Sequence, residues 1–416
     1  MTLRLDFRTL IEPVTERARR DPDCPSVVLI GEDGSEETVS AAQFLANAVD
    51  YAALLQAAGI RPRDIVILVM RHSKELLSAF WGALYLGAIP SIFPFLSEKL
   101  DRSLYVQQVR ILVAHCRARA VIAFPQFKPD LAALLEGVDC QVFATDEVPR
   151  RAAAENQPPH EATPETVALL QHSSGSTGLQ KGVALSHRAI LNQVRGYGRA
   201  VALSEDDVIV SWMPLYHDGG LIAGCIIPLV AGVPLVLISP FHWVRDPKVL
   251  FQAVHRHHGT LTWLPNFAYN HCARNVRERD LVGVDLSRWR VINAAEPVRW
   301  DSHRLFLERF GSYGLKESAL AQEAGLNLRV FADGRFGVAG TTDLAAPDDV
   351  VARAFASCAE GERLDTALPR AGIVPLVETF DEQAAGLSVA DLAALGRAVV
   401  EQLHRPGWQV NASVDR

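Results

Sequence analysis

The chain has 416 residues, of which 49% are hydrophobic and 21% charged, and its formal net charge is −7. This length and apolar fraction suffice for a large core, so the composition predicts a globular protein of two or three structural units. The acidic balance argues against a general nucleic-acid partner. The N-terminal stretch mixes charged and apolar residues, which argues against a signal peptide or a membrane span, and we expect a cytoplasmic location.

The cysteines and histidines do not follow the spacing of a metal site. Six cysteines lie far apart, without a CxxC pair or a Cys/His pair at ligand spacing, so we predict buried free thiols. The histidine run HRHHG at 255–259 ends a helical pattern, where basic residues suit a helix C-terminus. We therefore favour a helix end there over a metal site.

Apolar strand patterns alternate with amphipathic helix patterns, which is typical of parallel sheets joined by crossover helices. The sequence therefore predicts an α/β fold. A polar, proline-bearing stretch at 150–166 is the clearest predicted linker. Strands are predicted at 26–30, 64–70, 120–124, 167–171, 207–214, 233–238, 260–265 and 290–296. Helices are predicted within the stretch 39–60, where Gly59 ends the helix, and at 74–89.

The stretch HSSGSTGLQKGVALSH, residues 172–187, is rich in glycine, small hydroxyls and one lysine. It follows a predicted strand and runs into a helix that Ser186 could cap. Amide groups freed by glycines, together with a mobile ammonium, form a site suited to polyphosphate. The order of residues differs from the Walker-type GxxxxGK[ST] loop. A surface loop rich in turn formers is the alternative.

Four motifs in this order resemble those of the adenylate-forming superfamily, which includes acyl-CoA synthetases, luciferases and peptide-synthetase adenylation domains. They are SSGSTGLQKGVALSH (173–187), WMPLYHDGGLIAG (212–224), WLPNFAYNHCAR (263–274) and WRVINAAEPVRW (289–300), in the form typical of fatty acyl-AMP ligases. The resemblance covers about residues 1–330. It implies the layered N-terminal-domain fold of that superfamily, with parallel sheets flanked by helices.

The expected organisation has three parts. Residues 1–155 form a first α/β subdomain, and residues 156–330 a second one with the phosphate loop and acyl pocket. Residues 331–416 form a divergent C-terminal remnant with an amphipathic helix at 387–408. This helix either packs on the main domain or docks a partner. The hinge motif and the swinging C-terminal domain with its catalytic lysine are not found, so we expect that domain to be absent.

The resemblance implies binding of ATP and Mg²⁺. His217 is implied as a catalytic residue beside the acyl carboxylate and the α-phosphate, with a buried structural histidine as the alternative. In this family the reaction depends mainly on positioning and charge neutralisation. The residues implied for the phosphates are Ser173, Ser174, Gly175, Ser176, Thr177, Gly178 and Lys181, of which Lys181 is also catalytic and Thr177 also a magnesium ligand.

The resemblance also implies groups for the base and the acid. The adenine side is formed by Asn293, Ala294, Ala295, Glu296 and Pro297, where alanine replaces the first glycine of the usual GAEP. A long acyl chain needs a deep apolar wall ending at polar chemistry, although each apolar residue could equally be core packing. The candidates for the acid are Trp212, Met213, His217, Asp218, Leu221, Ile222, Asn266, Phe267 and Tyr269.

The next family motif, aromatic-Gly-Leu-x-Glu, has two possible registers. SYGLKESAL (312–320) supplies Tyr313 for the base and Glu317 for the nucleotide and magnesium, but about ten residues early. At the usual spacing, EAGLNLRV (323–330) places Ala324 and Leu328 in these roles. The second register, which we favour, predicts a damaged nucleotide site.

Three functions remain open. The chain could activate a carboxylic acid with ATP and pass the fatty or polyketide-type acyl group to an acyl or peptidyl carrier protein. It could have lost ATP chemistry and act as an acyl or carrier-protein binding partner. It could instead catalyse acyl transfer or condensation with His217 as general base.

Overall fold

The structure is a computed structural model. It describes residues 3, 5–95, 102–149, 158–172, 182–294, 296, 298–316, 326–332, 335–341 and 347–360. The chain divides into two compact units, Met1–Ala321 and Gln322–Arg416. The predicted terminal helix at 387–408 and residues 150–157 of the predicted linker lie outside the described residues. The predicted bounds at 155 and 330 stay predictions.

Strands and helices alternate along the first unit, as the sequence predicts. The strands are β1 (Pro25–Ile30), β2 (Glu36–Ser40), β3 (Ile65–Val69), β4 (Ile89–Ile92), β5 (Ala120–Ala123), β6 (Gln141–Ala144), β7 (Val167–His172), β8 (Gly182–Ser186), β9 (Ile209–Ser211), β10 (Leu235–Ile238), β11 (Leu261–Leu264), β12 (Arg290–Asn293), β13 (Leu326–Ala332) and β14 (Arg335–Thr341).

The helices flank the sheets. They are α1 (Ile11–Arg20), α2 (Ala41–Ala57), α3 (Lys74–Leu86), α4 (Arg102–Cys116), α5 (Lys128–Leu134), α6 (His187–Ala200), α7 (Ile227–Ala231), α8 (Pro240–Arg245), α9 (Lys248–Arg256), α10 (Asn266–Asn275), α11 (Trp300–Phe310) and α12 (Pro347–Glu360). A π-helical stretch spans Gly219–Ile226.

A six-stranded sheet in the order β12-β11-β9-β10-β1-β2 forms the centre of the first unit. All neighbours pair in parallel except β2, which is antiparallel to β1. Strands from both sides of residue 155 therefore share this sheet. A parallel four-stranded sheet in the order β4-β3-β5-β6 and the antiparallel hairpin β7–β8 complete the unit.

The predicted elements are confirmed where the pattern is strong. In β1, the five residues after Pro25 are all buried, as expected for a strand covered by helices on both faces. Helix α2 begins with a capping box, in which Ser40 Oγ accepts from the Gln43 amide at 3.3 Å. It ends just before Gly59, which has a φ of 81°, a conformation that favours glycine.

The histidine run behaves as the sequence predicts, whereas the prediction of buried thiols holds for only three of the six cysteines. The histidine run ends α9, with His255 in its last turn, so the predicted helix end is confirmed. No helix among the described residues has the length and hydropathy needed to cross a bilayer. The cysteines are all free thiols, with Cys225, Cys272 and Cys358 buried and Cys24, Cys116 and Cys140 partly buried.

The described part of the second unit is a hairpin and a helix. Strands β13 and β14 pair antiparallel, with Leu326 opposite Thr341 at one end and Ala332 opposite Arg335 at the other. Helix α12 packs against both strands. Leu328, the residue that replaces the glutamate in the second register, lies in β13 opposite Ala339.

Candidate functional site

The candidate site lies at the carboxyl edge of the six-stranded sheet. Strands β9, β10, β11 and β12 run parallel, so their carboxyl ends meet at one edge. In open α/β sheets, ligands bind outside this edge. The chain leaves β9 into Trp212, β11 into Asn266 and β12 after Asn293, so three of the four family motifs meet here.

A tight turn after β9 carries His217 and Asp218. The amide of His217 donates to the carbonyl of Pro214 at 3.1 Å, and the Asp218 carboxylate accepts from the Gly219 amide at 2.8 Å. A Cβ on Gly220 would lie 2.2 Å from the Pro214 oxygen, so only glycine allows the π-helical stretch to pack on this turn. The side chains of His217 and Asp218 are thereby left exposed to solvent.

Two partly buried hydrogen bonds hold this turn in place. His72, which follows β3, accepts from the Leu215 amide at 3.1 Å through Nε2, while its Nδ1 lies 3.3 Å from the Ile238 carbonyl. Gln171, near the end of β7, donates to the Tyr216 carbonyl at 2.6 Å. The turn is therefore tied to all three sheets of the first unit.

The electrostatics of His217 favour the neutral imidazole. Partial desolvation by its surroundings lowers the pKa of His217, and the neighbouring Asp218 carboxylate opposes this shift. Its ring lies 4.5 Å from the ring of Tyr216. An exposed, neutral imidazole on a fixed turn can hydrogen-bond a substrate as donor or acceptor. The alternative of a buried structural histidine does not match this exposure.

A hydrogen-bond network joins the ends of β11 and β12. The carbonyl oxygen Oδ1 of buried Asn266 accepts from Asn293 Nδ2 and from the Arg299 amide, both at 2.9 Å. The backbone amide of Asn266 donates to Glu296 Oε1 at 2.6 Å. Asn293 Oδ1 is buried and has no hydrogen-bond partner among the residues that the structure describes. Such an acceptor fits a donor from a ligand, because an unpaired buried polar atom is costly.

The predicted acid-binding residues differ in their exposure. Phe267 is 56% exposed, Asp218 is exposed, Ile222 is partly buried, and Trp212, Met213, Leu221, Asn266 and Tyr269 are buried. Trp243 of α8 joins this group, with its ring stacked on Trp212 at a centroid distance of 3.6 Å. The sequence analysis did not single out Trp243, because α8 carries none of the four motifs.

The phosphate loop connects the two strands of a hairpin. His172 of β7 pairs with Gly182 of β8, and residues 173–181 between them lie outside the described residues. Strand β8, which the sequence analysis did not predict, occupies the last part of the stretch 172–187 before helix α6. Ser186 nevertheless caps α6 as predicted, accepting from the Ala189 amide at 3.2 Å. The roles of Ser173, Ser174, Gly175, Ser176, Thr177, Gly178 and Lys181 stay predictions.

The structure does not bring Tyr313 to this edge. The Tyr313 carbonyl accepts from the Leu286 amide at 2.9 Å, and Leu286 precedes β12. Tyr313 therefore lies at the amino end of β12, whereas Asn293 lies at its carboxyl end. Glu317, Ala295, Pro297 and Ala324 lie outside the described residues.

The predicted metal ligands, Thr177 and Glu317, both lie outside the described residues. Elsewhere, within the ranges that the structure describes, no group of three or more His, Cys, Asp or Glu side chains is placed to hold a metal ion. The choice of magnesium ligands therefore stays a prediction from the resemblance.

The fold and the geometry define an α/β protein whose candidate ligand site lies at the carboxyl edge of a parallel sheet. The family model described as AMP-binding enzyme matches residues 14–336, and the chain belongs to this family. The resemblance to the adenylate-forming superfamily is thus confirmed.

Two of the curated relatives are ligases of fatty acids. The chain is 31% identical over 268 residues to the medium-chain-fatty-acid–[acyl-carrier-protein] ligase JamA of Moorena producens, covering 62% of this chain and 45% of that protein. It is 30% identical over 306 residues to the long-chain-fatty-acid–AMP ligase FadD32 of Mycolicibacterium smegmatis, covering 71% and 47%. The chain spans about half the length of these relatives.

Solved structures agree with the predicted fold. The fatty acid AMP ligase from Legionella pneumophila superposes with a TM-score of 0.69 at 26% identity, covering 80% of this chain and 61% of that one. A fatty acyl-adenylate ligase from L. pneumophila, in complex with acyl adenylate and pyrophosphate, gives the same TM-score and identity and covers 81% and 65%. The layered α/β fold with parallel sheets flanked by helices is confirmed.

Proposed function

We propose that the protein activates a carboxylic acid with ATP and passes the acyl group to a carrier protein. One carboxylate oxygen attacks the α-phosphorus of ATP, the bond from that phosphorus to the β,γ-unit breaks, and acyl-adenylate and pyrophosphate form. The phosphopantetheine thiol of the carrier protein then attacks the acyl carbon, a thioester forms, and the bond from that carbon to the phosphate oxygen breaks with release of AMP and the thiol proton. The observation that carries the proposal is the meeting of the His217 turn and the Asn266 network at one sheet edge. The relatives, which include fatty acid ligases and one ligase for an acyl carrier protein, support it.

The described residues suit particular tasks in this reaction. His217, neutral and exposed, would hydrogen-bond the acid carboxylate or an oxygen of the α-phosphate. Asn293 Oδ1 would accept from the exocyclic amine of adenine, which satisfies its buried lone pairs. The phosphate loop with Lys181 would hold the β- and γ-phosphates. Magnesium, when bound by Thr177 and Glu317, would supply positive charge to the phosphates.

Pyrophosphate exchange into ATP tests this proposal directly. We expect acid-dependent exchange by the wild-type chain, and a loss of at least tenfold in kcat for His217→Ala, since a hydrogen bond to a charged group contributes about 1.5–3 kcal/mol and about 1.4 kcal/mol is tenfold in rate. His258→Ala is the matched control, because His258 is also exposed but lies after α9, at the amino edge of the sheet. Exchange that is equal in the His217→Ala variant and the wild type would remove His217 from the reaction.

The position of Tyr313 favours a second candidate, a binding partner for acyl groups or carrier proteins without ATP chemistry. Tyr313 lies at the amino end of β12, and the other register offers Ala324 and Leu328. Neither register then supplies a ring beside the base together with a carboxylate. Calorimetric titration with ATP and Mg²⁺ separates the two candidates, since only the first requires ATP binding.

A further inference from the structure

Three aromatic side chains cover the carboxyl ends of three neighbouring strands. Trp212 follows β9, Trp243 lies in α8 after β10, and Phe267 lies in α10 after β11. These strands are adjacent in the order β11-β9-β10, so the rings meet above one continuous stretch of the sheet edge. We refer to Trp212, Trp243 and Phe267 as the aromatic wall.

The aromatic wall leaves no room for a chain between its inner rings. The indoles of Trp212 and Trp243 stack with centroids 3.6 Å apart and an interplanar angle of 14°. Carbon atoms in contact are about 3.5–4.0 Å apart, so an alkyl chain between the indoles would require roughly twice the observed separation. Phe267 stands edge-on to both, at 6.0 Å from Trp212 and 6.2 Å from Trp243.

The neighbours of the aromatic wall restrict its movement. Trp243 is 0% exposed, and its ring also contacts that of His271 at 5.1 Å. His271 is itself fixed, because its Nε2 lies 3.0 Å from the Val244 carbonyl. Met213, the residue after Trp212, packs closely on the π-helical stretch, because a Cβ on Gly219 would lie 2.8 Å from Met213 Cε. Separating the indoles would therefore disturb a close-packed core.

We propose that the aromatic wall determines substrate specificity by ending the acid pocket, so that the protein selects acids with a short acyl chain and excludes long-chain fatty acids. This inference rests on the proposed function, since it concerns the acid that the same site would activate. A short chain ends against the exposed Phe267 ring, whereas a long chain would have to displace the stacked indoles.

Calorimetric titration of the full chain with butanoate, hexanoate, octanoate and dodecanoate, without ATP, tests the inference. For the wild type we expect affinity to rise from butanoate to hexanoate and then to stop rising. In Trp243→Leu each methylene newly buried should raise affinity about fourfold, equivalent to ~0.8 kcal/mol. Affinity that keeps rising to dodecanoate in the wild type, or no binding of any acid, would overturn the inference.

Two further variants separate specificity from stability. Trp81→Leu is the matched control, because Trp81 is equally buried but packs against Phe44 and Phe80 in the helix layer; it should keep the wild-type chain-length profile. If Trp243→Leu does not fold, Trp243→Phe retains a ring and should shift the profile in the same direction by a smaller factor. A profile unchanged in both Trp243 variants would contradict the inference.

The proposed function fails separately from this inference. Pyrophosphate exchange that is fastest with dodecanoate would overturn the short-chain inference and support acid activation. Short-acid binding with the expected profile, but without exchange for any acid, would overturn acid activation and leave the aromatic wall as the determinant of acid binding.

Discussion

Replacing Asn266 with alanine tests the network that joins the ends of β11 and β12. Asn266 is 3% exposed, and its Oδ1 is the acceptor for both Asn293 Nδ2 and the Arg299 amide. The alanine variant leaves both donors without this partner. The variant should therefore lose stability and also release the segment after β12, where the proposed base contacts lie.

The expected loss in the free energy of unfolding follows from the two donors that lose their acceptor. An unsatisfied buried donor costs about 1–3 kcal/mol. The Asn293 amide is partly buried and should contribute within that range, while Arg299 is exposed and its amide can regain water, so it contributes less. We expect Asn266→Ala to lower the free energy of unfolding by about 1–4 kcal/mol, more than the loss of a single exposed hydrogen bond.

Urea denaturation followed by circular dichroism measures this loss. Asn270→Ala is the matched control, because Asn270 lies on the same helix and its Nδ2 donates a hydrogen bond to Ser302 Oγ at 2.9 Å. That control should lose about 1 kcal/mol. An equal loss in the two variants would refute the reasoning, since Oδ1 would then not be supporting two donors.

Three further predictions concern stability. Burial lowers the pKa of His187 to about 4, and His187 Nδ1 accepts a hydrogen bond from the Leu10 backbone amide at 3.1 Å. In the unfolded chain the same imidazole takes up a proton near pH 6.5. The contribution of His187 to stability is therefore full above pH 6.5 and falls by about 1.4 kcal/mol per pH unit down to pH 4. Burial also lowers the pKa of His72 to about 4, so His187→Asn should reduce the slope of stability against pH by about 1.4 kcal/mol per unit and leave the contribution of His72. Urea titrations at several pH values measure the slope, and an unchanged slope would contradict the prediction. Ser186→Ala should cost about 1 kcal/mol and Ser186→Gly only a few tenths, measured by thermal unfolding, and equal losses would argue against capping. Arg290→Met should cost about 1.5–3 kcal/mol, since it removes a half-exposed hydrogen-bond partner of the buried Asp207 carboxylate at 2.5 Å. Combining it with Asp207→Asn should recover part of the loss, and no recovery would contradict this.

The sequence predicted the strands whose apolar runs are continuous and missed those that are short or polar. Strand β2, EETVS, has three exposed residues out of five, so its pattern does not stand out from a turn. Strand β8 follows a glycine-rich loop and is defined by long-range pairing with β7, which no local pattern shows. A strand of this kind forms because it packs against a neighbouring strand, and the intrinsic β-propensity of its residues contributes less.

The candidate site was predictable where a motif fixes the residues and not elsewhere. Asn266, Asn293 and Glu296 belong to two motifs, and the structure joins them by hydrogen bonds. Trp243 belongs to no motif, and its stacking on Trp212 depends on the adjacency of β9 and β10, which only the sheet order reveals. A single buried tryptophan in a sequence gives no signal of such a partner.

The length of β12 bears on the choice between the two registers. Its four residues span roughly 10 Å, with Leu286 and Tyr313 beyond the amino end and Asn293 at the carboxyl end. An adenine bonded to Asn293 Oδ1 would therefore lie too far from Tyr313 for their rings to stack. ATP binding to this chain must then use a different apolar surface beside the base, and the second register supplies only the methyl of Ala324. We therefore expect this chain to bind ATP more weakly than a family member with an aromatic ring beside the adenine. Calorimetric titration with ATP alone measures this affinity. A Tyr313→Ala variant should leave ATP affinity unchanged, whereas a tenfold loss would show that Tyr313 reaches the base after all.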